Sequence, residues 1–301
     1  MIVGATASGK SVLAMELARR RPGVELVSMD SMALYRGMDV GTTAPTAAER
    51  AEVPHHLVDL VNPTEDFTVS EFQVAARRAL DDMEGRGARA VLVGGTGLHV
   101  RAVVDDLEIP GRYDEVREVL DADDDTSGLY TRLAGLDPVA AGRMEPTNRR
   151  RVVRALEVTL GSGRPFSSFG PGLEAYPATP FTQVGLRVDR EVLDRRIADR
   201  YRHQLADGFL DEVRWLAALD GGPSRSAAQA LGYSELLAHL RGECTLADAI
   251  ADAVAATRRF ARRQERWFRR DPRIEWFDVG ADPLKVLEAV LERFDRCGDP
   301  G

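Results

Sequence analysis

Apolar positions along the chain switch between two spacings, and each switch marks an element. Val12, Leu13, Met15 and Leu17 recur at helical spacing, so a helix is expected over about residues 10–20. Val24-Glu25-Leu26-Val27-Ser28-Met29 reads as a strand ending at Asp30, residues 57–60 as a second short strand, and Ala90-Val91-Leu92-Val93 as a buried parallel strand. Thr68 with Glu71 three residues on is a capping box that opens a helix through about Glu84. The strand pattern resumes over residues 182–188. Asp189 could then cap a long helix carrying Leu193, Ile197, Tyr201 and Leu205, and Ile274-Glu275-Trp276-Phe277 suggests a last strand. Strands alternating with helices predict an α/β fold built on a doubly wound parallel sheet.

Between about Tyr113 and Tyr176 the alternation stops. Short helical stretches at 116–120, 129–133 and 149–160 read as a helical insertion, with the Pro/Gly/Ser-rich residues 161–180 as its exit. The expected organisation is a core over 1–112, an insertion over 113–178, and the rest of the core with C-terminal helices over 179–301.

Gly4-Ala5-Thr6-Ala7-Ser8-Gly9-Lys10-Ser11 is a complete G-x-x-x-x-G-K-[ST] phosphate loop, so the fold is expected to be P-loop NTPase-like. Lys10 is one of two lysines among 40 basic residues, the other being Lys285. A compact ammonium on a flexible stem reaches between phosphate oxygens, which a planar guanidinium does not. The glycines let successive N–H groups turn toward one anion, and Ser11 can offer its hydroxyl to Mg2+. Only Met1-Ile2-Val3 precede the loop, so the first strand is either very short or begins upstream of Met1. In open α/β sheets ligands sit beyond the carboxyl ends of the strands. The loop, Asp30 and Thr96 all occupy such ends, so three segments can converge on one pocket.

Composition narrows the classes. The chain has 301 residues, 44% hydrophobic and 29% charged, an ordinary globular balance. No apolar run approaches a membrane span, and no secretory signal is present. Cys244 and Cys297 are too few for a disulfide framework or a zinc site, which points to a reducing cytoplasm. His55-His56 read as structural histidines. The net charge of −8 argues against nucleic acid, but its distribution argues the other way. Residues 114–125 are net −6, 143–154 net +4 and 258–270 net +6, so basic surfaces exist locally for a phosphate backbone.

A kinase on the same loop usually adds an acid at the end of a second strand to hold Mg2+. Here strand 90–93 runs into Gly94-Gly95-Thr96, which leaves Asp30 and Asp59 as the available acids. From its own stretch alone Asp30 reads as a helix cap.

Together the motifs resemble the tRNA dimethylallyltransferases (tRNA isopentenyltransferases) over nearly the whole length. They are GATASGKS, SMDSMALYRGMDVGT, PHHLVDLVNP, LVGGTGLHVRA, RRRVVRALEV, LGYSEL and TRRFARRQERWF, in the family's order. The resemblance implies transfer of a dimethylallyl group from its diphosphate to N6 of the adenosine beside the anticodon of tRNA, with Mg2+, by a cytoplasmic enzyme that acts as a monomer. The loop (Gly4, Thr6, Ala7, Ser8, Gly9, Lys10, Ser11) would then cradle the departing diphosphate, with Thr96 and Arg200 contacting it and Asp30 as general base. Ser31, Met32, Ala33, Gln229, Gly232, Tyr233, Arg262, Arg263 and Gln264 match segments that meet the RNA. Arg117, Arg150, Arg151 and Arg154 do so from the insertion. Two readings stay open: an intrahelical ion pair for Arg117, and core anchoring for Phe260, Trp267 and Phe268. Against the family's pattern, the residues before Gly232 are unusually small, which bears on substrate preference. A P-loop small-molecule or nucleoside kinase is the alternative.

Overall fold

Ile2 and Val3 set the logic of the sheet, because consecutive strand residues face opposite ways. Ile2 packs with Leu26, Val91, Val184 and Leu186 on one face, while Val3 packs with Val27 and Leu92 on the other. Both faces are buried, which is why these strands read as continuous apolar runs. A computed structural model describes residues 1–297.

Six parallel strands form one sheet in the order β3-β2-β4-β1-β5-β6. They are β1 (Ile2–Gly4), β2 (Val24–Ser28), β3 (His55–His56), β4 (Arg89–Gly94), β5 (Gln183–Arg187) and β6 (Ile274–Asp278). The short β1 is central, pairing with β4 on one side and β5 on the other. Consequently the turns after β1, β2 and β4 emerge at the same sheet end.

The chain clusters into two compact units, one of Met1–Val104 with the segment from Ala178 onward, and one of Asp105–Pro177. The second is all helical and has its own core of Leu120, Leu129, Leu133, Val152, Val153 and Leu156. In the first unit the Thr68 capping box forms on Val69–Gly85, with Thr68 Oγ1 accepting from the Glu71 amide at 3.2 Å. Asp189 stands before helix Arg190–Ala206 but makes no side-chain cap bond.

One expected strand is displaced. Pairing with β2 ends at His56, and residues 57–60 form no strand. Leu57 and Asp59 have φ of 60° and 53°, a left-handed backbone that cannot extend a ladder. The leucines deliver their burial from a turn instead. His56 is structural, as expected, with Nε2 2.6 Å from Glu25. Glu25 is also paired with Arg86, whose hydrogen bonds hold its carboxyl down to about 2.

Among the described residues, no helix is long and apolar enough to cross a membrane.

Candidate active site at the carboxyl ends of three strands

The turn after β1 wraps toward helix Lys10–Arg20 through Ala7 at φ 61° and Gly9 at φ 93°. Gly9 is fixed by space as well as by angle: a Cβ there would lie 2.6 Å from Pro283. The Lys10 ammonium donates to the Ala5 carbonyl at 2.7 Å. Burial lowers its pKa to about 8, Asp30 partly opposes that shift, and Arg200 adds to it. Ser8 Oγ is buried with no hydrogen-bond partner, as is Arg200 Nε. Two buried donors beside the loop thus stay without a partner.

Asp30 follows β2. Its Oδ1 accepts from the Met32 amide at 2.8 Å, an Asx turn and not the helix cap that its stretch suggested. Oδ2 has no hydrogen-bond partner among the described residues. Asp30 is close enough to raise the pKa of Lys10, Arg200 and His99 against the burial that lowers each. Thr96 follows β4 and immediately precedes helix Gly97–Val104; its Oγ1 accepts from the Ser31 amide at 3.3 Å. Thr6 Oγ1 accepts from Arg200 at 2.9 Å. The phosphate loop, Asp30, Ser31, Thr96 and Arg200 therefore meet in one place.

Arg200 is not alone on its helix. Arg196, Arg200 and Gln204 are spaced by four and share one face of Arg190–Ala206. Arg196 donates to the Ala7 carbonyl (3.2 Å) and the Ala281 carbonyl (2.8 Å), and Gln204 to those of Val40 (2.8 Å) and Gly41 (2.9 Å). The i, i+4, i+8 spacing stands in the sequence but does not single out Arg200; the fold does, covering this face while the side chains of Arg195 and Arg202 are exposed.

Two side chains expected at the RNA are buried and committed elsewhere. Gln264 accepts from the Thr6 amide at 2.8 Å and donates to the Gly95 carbonyl at 2.8 Å, clamping the phosphate loop to the turn after β4. Tyr233 is fully buried and donates to Glu212 at 2.5 Å. Glu212 also receives the amides of Asp39, Val40 and Gly41 at 2.7–2.9 Å, so Tyr233 braces that loop. Through these bonds each side chain braces the loop it touches. Gly232 is likewise buried at φ 87°, against Phe209 and Tyr201, and Ala33 is buried. Met32 is half-buried, and Gln229 is exposed. His99 is a residue that sequence reasoning missed: it is buried edge-on to Phe72, and burial pushes its imidazole down to about 4, so it is neutral at pH 7.

Gln264→Leu should therefore leave a buried N–H and a buried C=O unpaired, at about 1–3 kcal/mol each. The expected result is a melting temperature lower by several degrees together with weaker diphosphate binding. An unchanged melting temperature would show that the clamp carries no stability.

Arg262 and Arg263 are exposed on helix Leu246–Phe268, with the Arg263 guanidinium 5.6 Å from the Phe260 ring centre. Phe268 is core, and Trp267 packs against it. In the helical unit Arg150 and Arg151 are exposed and have no acidic partner among the described residues. Arg154 pairs with the buried Glu157 at 2.5 Å. Arg117 bonds Asp121 at 2.7 Å, four residues on, and lies 3.5 Å from Glu157. The intrahelical ion pair thus exists.

Among the described residues no group of three His, Cys, Asp or Glu side chains could hold a metal. Asp59 is paired with Arg50.

A family model described as IPP transferase matches residues 33–271. The chain belongs to this IPP transferase family. The tRNA dimethylallyltransferases of Pseudarthrobacter chlorophenolicus and Streptomyces coelicolor are 48% and 46% identical to it, over 96% and 98% of this chain and 96% and 95% of their own length. The full-length tRNA isopentenylpyrophosphate transferase from Bacillus halodurans superposes with a TM-score of 0.72 at 36% identity, covering 98% of this chain and 95% of that one. A eukaryotic dimethylallyltransferase solved acting on tRNA gives a TM-score of 0.77 at 25% identity, over 94% of this chain and 74% of that one. The fold is the P-loop NTPase-like α/β fold of this family, and the family match begins at Ala33, after the phosphate loop and Asp30, and runs past Gln264.

Proposed function

We propose that this chain transfers a dimethylallyl group from dimethylallyl diphosphate to N6 of the adenosine beside the anticodon of tRNA, releasing diphosphate. The observation that carries the reading is the meeting of an anion cradle, at Lys10, Thr6 and Arg200, with a carboxylate, Asp30, that keeps one oxygen unpartnered. Membership of a family whose relatives bear this activity in their names supports it.

In the reaction the C1–O bond to diphosphate breaks and a bond from N6 to C1 forms. Negative charge grows on the diphosphate, which Lys10, Arg200 and loop amides would stabilise. Thr96 orders Ser31 beside the base site. Asp30 Oδ2 accepts the proton that N6 loses, and Oδ1 stays fixed by Met32. A base acted on in this way must leave its stack, which a single-stranded loop permits cheaply. The exposed Arg150, Arg151, Arg262 and Arg263 suit its phosphates.

Mg2+ fits as a partner of the departing diphosphate, held by Ser11 Oγ and phosphate oxygens, where it would neutralise charge. Phosphate oxygens and water would complete its coordination. We further propose a cytoplasmic monomer. The kinase alternative lacks an acid at the end of β4, where Gly95 and Thr96 stand.

Mass analysis of nucleosides from tRNA incubated with the protein, dimethylallyl diphosphate and Mg2+ tests the reading. Adenosine heavier by one dimethylallyl group is expected. Phosphorylated product with unmodified adenosine would refute it.

A further inference from the structure

A cleft lies beside the reaction loop, apart from the phosphate cradle. It has a volume of about 390 Å³ and is lined by Arg36, Gly37, Asn62, Trp215, Leu219 and Asp220 among others. That is within the ~300–1,000 Å³ typical of small-molecule clefts. Trp215 is 44% exposed, an unusual state for an indole in a chain with three tryptophans. It lies directly on Gly37, where a Cβ would come within 2.6 Å of the ring. With φ at 74° as well, position 37 has no room for a side chain. The bare backbone lets the indole lie against the loop with part of its surface uncovered.

The cleft shares a frame with the proposed reaction site. Helix Phe209–Ala217 carries both Trp215 and, three residues earlier on the same side, Glu212, which clamps the amides of Asp39, Val40 and Gly41. Arg36 follows Asp30 by six residues, and its amide donates to the Val61 carbonyl at 2.9 Å. The Arg36 guanidinium is held by an amide oxygen, Asn62 Oδ1 at 3.2 Å, and no carboxylate neutralises it among the described residues. It keeps its charge for a phosphate. Asp220, also on the lining, can only accept, so it suits donors such as the amino or imino edge of a base or a ribose hydroxyl.

We infer that this cleft is a stacking subsite for one unpaired nucleotide of the substrate RNA, its base on the Trp215 indole and its phosphate at Arg36. The inference rests on the proposed reaction for its choice of ligand. An aromatic face is indifferent to base identity, so the subsite contributes affinity and alignment more than sequence choice.

Titration with an anticodon stem-loop RNA, followed by tryptophan fluorescence and by direct binding, tests the inference. The wild-type protein should show quenching of which Trp215→Phe removes the part due to Trp215, any remainder coming from Trp267, which lies against Gly97 beside Thr96. Trp215→Ala should weaken RNA binding about tenfold and Trp215→Phe less, with affinity for dimethylallyl diphosphate unchanged in both. Unchanged RNA affinity in Trp215→Ala overturns the subsite. So does a self-association that Trp215→Ala abolishes while RNA affinity stays the same, since a second copy would then fill the cleft. Turnover on the same RNA separates the two ideas. RNA bound through Trp215 without prenyl transfer refutes the reaction and keeps the cleft, whereas transfer indifferent to Trp215 refutes the cleft alone.

Discussion

Asp30→Asn is expected to lower prenyl transfer by about 100- to 10,000-fold, the range a positioned general base contributes. The amide keeps the shape of the carboxylate, and its oxygen can still accept from the Met32 amide, so the loop should stay in register. What it loses is a site for the N6 proton. Donor binding should persist, because Asp30 has no hydrogen bond to the phosphate loop and acts on Lys10 and Arg200 only through its charge. The check is single-turnover transfer measured beside equilibrium binding of dimethylallyl diphosphate. A variant with normal turnover would remove Asp30 from the role of base. A variant that lost donor binding as well would make it part of the anion site.

Lys10→Met should raise the dissociation constant of the diphosphate about 10- to 100-fold, the loss of one charged hydrogen bond. The rate should fall further, by about 100- to 1,000-fold, because charge on the leaving group is greatest in the transition state. A pH signature accompanies the loss. Burial holds the free ammonium down to about 8, while a bound anion favours the charged form and raises that value. As pH rises through about 8, the free protein loses the proton that binding requires. Affinity should therefore decline with pH by up to about tenfold per unit, with proton uptake on binding. Calorimetry in buffers of different ionisation enthalpy measures that uptake. The component that disappears in Lys10→Met is the one due to this side chain, and identical pH profiles for both proteins would contradict the assignment.

These expectations depend on loops whose placement is visible only in part along the chain. The phosphate loop, the alternation that builds a parallel sheet and the capping box at Thr68 are local patterns, and local patterns need only neighbours in sequence. The turn at residues 57–60 was not local. Its leucines have the composition of a strand, and the left-handed backbone at Leu57 and Asp59 became visible only in the fold. The row Arg196, Arg200, Gln204 lies between these cases: its spacing is written in the sequence, but not what the face meets.

Taken alone, the sequence determined the phosphate cradle, the kind of sheet that carries it, and the family whose motifs occur in order. Chain neighbours fix these, through backbone conformation at the loop and burial period in the strands. The tertiary structure decided which polar side chains hold and which remain open. Gln264, 258 residues from Thr6, and Tyr233, 21 from Glu212, are buried partners of loop groups. Asp30 and Trp215 keep an oxygen and a ring surface unspent. A hydrogen bond between distant segments satisfies a donor that sequence shows only as present, and whether it is satisfied separates a brace from a binding group.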